Sequence, residues 1–129
     1  MAIAFLIGRI IFGLYWLDNA RNHLMNSDKL VGYASFKKVP APKLAIIGSG
    51  ILLLIGGLSM ILGIWPYVGL VALLLFLVPV TFTMHAFWKE TDPTARMNDR
   101  IQFGKNAALA GAILMMFAIS LPWEYSLFN

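Results

Sequence analysis

About twenty apolar residues in a row begin at Pro66 and lead into Phe76-Leu-Val-Pro-Val-Thr-Phe-Thr-Met-His-Ala-Phe-Trp-Lys89. Such a run is long enough to cross the roughly 30 Å hydrocarbon core of a bilayer as a helix. It then breaks its own pattern. Pro79 removes a backbone donor in mid-span, Thr81 and Thr83 follow, and His85 stands before Phe87, Trp88 and Lys89. A proline and an imidazole inside a membrane helix each cost free energy, so something in the protein must compensate for them.

The solvent follows from composition. Of 129 residues, 60% are hydrophobic and 12% charged, with a mean hydropathy of +0.77. Soluble domains carry about 25% charged residues, and a chain this short cannot hide so much apolar surface inside itself. Lipid is therefore the expected surroundings. The absence of cysteine excludes disulfides, thiolate metal sites, iron–sulfur ligation, covalently attached haem and a thiol nucleophile. A net charge of +4 would suit nucleic acid, but the basic residues form no polar module, and in a membrane protein they report topology.

The fold class expected is all-α: a polytopic membrane protein built as a four-transmembrane-helix bundle, a single membrane domain over residues 1–129. Spans are predicted at about 2–24, 44–64, 66–88 and 103–121. The segment 26–43 predicts a short interfacial helix between the first and second spans, with Leu30, Val31, Tyr33 and Phe36 beside Lys29, Lys37 and Lys38. The second span is rich in small residues (Gly48, Gly50, Gly56, Gly57, Gly63), which let helix backbones approach closely in lipid. Trp65-Pro66 predicts a tight antiparallel connection, with proline in the first turn of the third span. Nine of the ten Lys and Arg residues, all but Arg9, lie on or next to the two polar loops. The positive-inside rule then puts the loops in the cytoplasm and both termini outside.

Depth along the helices brings Asp18, His85 and Asn106 to one level beneath the cytoplasmic surface, joined by Trp16, Trp88 and Lys105 or Arg21. An acid and an imidazole within reach suit proton handling or contact with a quinone headgroup, which needs hydrogen-bond partners beside an apolar channel. The plainer alternative pairs Asp18 with Arg21 and leaves His85 as structural glue between helices. Arg9 lies deep on the other side, on the face opposite Asp18. It is expected to snorkel outward, meet Glu124, or touch a partner subunit or anionic lipid. His23 and His85 as axial haem ligands would need one shared depth, which a place at the helix end denies His23. No other metal constellation is available, and no phosphate loop, nucleophile elbow or paired carboxylates.

Several stretches together resemble the DoxX family of small four-helix membrane proteins. They are Gly8-Arg9-Ile-Ile-Phe-Gly13, Ala41-Pro-Lys-Leu44, Gly56-Gly57-Leu-Ser-Met-Ile-Leu-Gly63, Thr83-Met-His-Ala-Phe-Trp88 and Phe103-Gly-Lys-Asn-Ala-Ala-Leu109. The resemblance implies a bacterial inner-membrane protein, and some members are similar to the membrane subunit of thiosulfate:quinone oxidoreductase. It points to Arg9, His85, Trp88, Lys105 and Asn106 as positions to test. Many relatives carry a glutamate where this chain has Leu53, so an acidic mechanism at that point is not implied. Two functions follow as expectations. One is a quinone-linked redox subunit, with no cofactor held by the chain itself and an electron donor on another subunit. The other is a non-catalytic accessory subunit that docks on a larger membrane complex or on copies of itself.

Overall fold

The computed structural model of the chain describes residues 1–128. They form five helices and one 3-10 turn: α1 (Ala2–Met25), α2 (Ser27–Phe36), α3 (Pro42–Leu62), α4 (Pro66–Met84), the turn Phe87–Lys89, and α5 (Pro93–Met116). No strand occurs among the described residues. Three segments are long and apolar enough to cross a membrane: Ala2–Met25, Pro42–Leu62 and Pro66–Lys89. Helix α5 has the length, but Arg96, Asp99, Arg100 and Lys105 make its first half polar.

Helix α3 is the hub, packed against α1, α2 and α4, while α5 packs on α4 and the 3-10 turn. Glycine sets the α1–α3 spacing. A Cβ on Gly13 would stand 2.8 Å from the Gly57 carbonyl oxygen, and one on Gly57 would stand 3.0 Å from that of Gly13. Neither backbone can yield, so only glycine permits this approach. Between α3 and α4, Gly56 lies against Leu73 and Gly69 against Ser59 in the same way.

The α3–α4 connection is as tight as the sequence predicts. Gly63 ends α3 with φ 72°, Trp65 adopts φ 45°, and Pro66 takes the first turn of α4. Ser59 Oγ donates to the Ile64 carbonyl at 2.6 Å and closes the corner. The buried centre is Trp16, Leu53, Met60, Leu70, Leu73 and Ile113, with Trp123 folded back from the C-terminal segment.

Two helices differ from expectation at their ends. Helix α4 stops at Met84, so His85 is its C-cap, and the Phe87–Lys89 turn follows. Helix α5 begins at Pro93, ten residues before the predicted 103, and ends at Met116. The cause is local: Asp92 Oδ2 accepts the Ala95 amide at 2.9 Å, and Pro93 supplies the fixed φ that suits a first helical position.

Candidate functional site

A cavity of about 640 Å³ opens at the end of the bundle where the polar loops gather. Its walls come from the last turns of α1, from α2, from the first half of α3, from the second half of α4, and from Gln102, Lys105 and Asn106 of α5. The volume falls within the roughly 300–1,000 Å³ usual for small-molecule sites. Most of the lining is apolar, including Trp16, Leu52, Leu75, Phe76 and Val80.

Pro79 belongs to this wall. Its missing N–H frees the carbonyl of Leu75, one turn back and also in the wall, and irregular backbone is tolerated in a membrane helix where it borders a cavity. Thr81 and Thr83 donate to the carbonyls of Leu77 (2.6 Å) and Pro79 (2.7 Å), so their hydroxyls cost α4 nothing in lipid. The proline and the imidazole that break the apolar run therefore border the same space.

Three polar side chains in the wall keep unspent hydrogen-bonding capacity. Asn106 is 6% exposed, yet its amide makes no hydrogen bond among the described residues. The sealed, unpartnered polar side-chain atoms among those residues are the indole nitrogens of Trp16 and Trp123, so the Asn106 amide reaches the cavity it lines. His85 places Nδ1 3.3 Å from Asp99 Oδ1, and His23 places Nδ1 2.7 Å from Ser49 Oγ. Among the described residues, neither ring's Nε2 has a partner.

Asp99 is the charge that organises the loop end. Its Oδ2 accepts from Lys37 Nζ at 2.6 Å, and the same ammonium reaches Glu90 Oε1 at 2.9 Å. This joins the end of α2, the segment after the 3-10 turn, α5 and the α4 cap. Burial opposes the Lys37 charge, but its hydrogen bonds to Asp99 and Glu90 outweigh that, and its pKa stands above the ordinary value near 10.5.

The structure distributes the expected site residues unevenly. His85, Asn106 and Lys105 do share one cavity. Asp18 does not: its side chain is 61% exposed and pairs with Arg21 at 3.0 Å. Arg9, Gly13, Trp16 and Ala20 mark the buried face of α1, and Asp18 lies about 200° around the helix from Trp16 and from Ala20. Asp99 takes the place beside His85 that Asp18 was expected to fill. Trp88 lies outside the lining, half exposed, in an aromatic cluster with Phe82, Phe87 and Phe103. His23, expected at the helix end apart from His85, lines the cavity with it.

Arg9 is a further correction. It is 4% exposed and does not snorkel outward. Its guanidinium donates to the carbonyls of Met60 (2.9 Å), Ile61 (3.0 Å), Glu124 (2.6 Å) and Tyr125 (3.5 Å). It does meet Glu124, through the backbone carbonyl. Phe5 and Trp123 lie against the cation at 5.6 and 5.8 Å. Leu53 is fully buried in the core and does not line the cavity.

Asp99 and His23 were missed by sequence reasoning for different reasons. Asp92-Pro93 is a helix-start signal, and a helix from Pro93 places Asp99, Asn106 and Ile113 on one face at seven-residue spacing; all three are buried. His23 was set aside as lying at the helix end, yet three residues on from the buried Ala20 it shares that face and lines the cavity.

The DoxX family model matches residues 4–86 of the chain. No curated protein and no solved structure matches it.

Proposed function

Because the chain belongs to the DoxX family, we propose that it is a quinone-binding membrane subunit whose loop-side cavity takes the headgroup. The observation that carries this is the Asn106 amide, buried and unpartnered, on a 640 Å³ apolar cavity that also holds two imidazoles. The Asn106 amide opens onto the cavity with no partner among the described residues, and a ligand bearing both a polar head and an apolar ring would occupy both it and the apolar lining. In this role the chain positions the headgroup, and another subunit supplies or takes the electrons.

The test is purification from native membranes in mild detergent, followed by extraction and mass spectrometry of bound lipid. Quinone is expected to accompany the wild-type protein. In Asn106→Leu, of similar size, its content is expected to drop about tenfold, with thermal unfolding unchanged. Protein free of quinone, or equal content in the variant, overturns the proposal.

The same proposal includes four spans, the fourth at about 103–121, running from the second half of α5 into the segment after it, and α2 lying along the membrane surface. It places the membrane as bacterial inner membrane, with the loop end in the cytoplasm. Support comes from the nine basic residues at or near that end against Arg9 alone toward the other. The chain has no native cysteine. Single cysteines at Lys38 and Ser126 therefore report sidedness: an impermeant maleimide on intact cells is expected to label position 126 and spare position 38. The opposite pattern inverts the topology.

A further inference from the structure

The two cavity histidines have their protons assigned by their neighbours. Asp99 carries a carboxylate that accepts only, already held by Lys37, so the bond at His85 Nδ1 needs N–H on that nitrogen. At His23 the partner is Ser49, whose single hydroxyl proton is directed at the Ile46 carbonyl at 2.9 Å. Ser49 Oγ is then left to accept the His23 Nδ1–H. Both bonds fix the Nδ1–H tautomer. In the neutral ring the lone pair therefore sits on Nε2, the nitrogen with no partner among the described residues.

The rings are also set apart. The His23 ring meets Phe76 edge to face at 5.4 Å. Phe76 and His85 are nine positions apart along α4, about 13 Å of helix axis. The two imidazoles are thus well separated on one apolar lining, each with an acceptor nitrogen to offer. A 1,4-dihydroxy aromatic ring has two donors at opposite ends, while its oxidised dione has acceptors alone and would set lone pair against lone pair.

We propose that this cavity selects the reduced, hydroxyl-bearing form of its ligand, a quinol, with His23 and His85 Nε2 accepting the two hydroxyl protons as hydrogen bonds. This rests on the quinone-site proposal and narrows it to one redox form. Asn106 both donates and accepts, so it serves either form. Lys105 donates only and favours the dione, but it lies exposed at the cavity edge.

The experiment compares three probes on purified protein near pH 8: a decyl-substituted 1,4-benzoquinone, its quinol, and the dimethyl ether of that quinol. The ether keeps the ring and tail and loses both donors. At this pH the imidazoles are neutral, and the charged groups facing His85 are Asp99, Lys37 and Lys105; His23 faces Ser49 and the Ile46 carbonyl. The quinol is expected to bind at least about tenfold more tightly than either other probe, the sum of two hydrogen bonds. In His23→Leu with His85→Leu the ratio is expected to fall to about one. Equal affinity for quinol and ether in the wild type, which needs no variant to fold, overturns the selectivity, as does tighter binding of the dione. If no probe binds, the quinone site itself is wrong and this inference goes with it.

Discussion

Arg9 holds a charge inside the bundle with no carboxylate against it among the described residues, which only its geometry makes tolerable. A helix C-terminus leaves carbonyls without partners, and in lipid no water supplies them. The planar guanidinium serves two from α3 and two from the C-terminal segment, so one side chain ties that segment to the end of α3. Lysine carries a compact ammonium on a flexible stem and does not fit a four-carbonyl fork. Arg9→Lys is therefore expected to lower stability by about 3 kcal/mol, close to Arg9→Met, as read by thermal unfolding in detergent. A lysine variant that melts with the wild type would show that charge alone suffices. The sequence showed that Asp18 was on the wrong face to answer Arg9, and left snorkelling, Glu124, a partner subunit or lipid as the candidates. It did not show that the answer was backbone, because chain-end carbonyls carry no residue-specific signal.

At the scale of helices, the small-residue content of the second span announced close packing, but not which glycines make it. The structure separates them. Gly13 and Gly57 face each other's carbonyl oxygens across α1 and α3, whereas Gly104 and Gly111 on α5 have open space where a side chain would go. Gly57→Ala is therefore expected to force α1 and α3 apart and lower the unfolding temperature by several degrees. Gly104→Ala should be neutral or slightly stabilising, since alanine favours a helix by up to about 1 kcal/mol. Equal melting of both variants would remove the α1–α3 crossing as the point of constraint. The apolar runs of α1, α3 and α4 were legible because period and length suffice for a span. The start of α5 was not, because a polar first half reads as loop until the Asp92-Pro93 cap is weighed against it.

For the molecule as a whole, Lys37 is where the separate helices are made to agree. Its ammonium, on a side chain 12% exposed, touches carboxylates from two other segments, and through Asp99 it sets the proton on His85. Replacing it by methionine strands Asp99 as a buried anion, a loss of about 3 kcal/mol or more. The sign of its pH dependence follows from the raised pKa. A lysine held above its ordinary value gives its full stabilisation below about pH 10.5 and loses it as pH climbs through the folded-state value. The gap in unfolding temperature between wild type and Lys37→Met should thus be constant from pH 7 to about 10 and narrow in more alkaline solution. Lys37→Arg, which stays charged throughout, should not narrow with respect to Lys37→Met over that range. A gap that instead closes below neutrality would mean that Asp99 or Glu90, and not the lysine, governs the linkage.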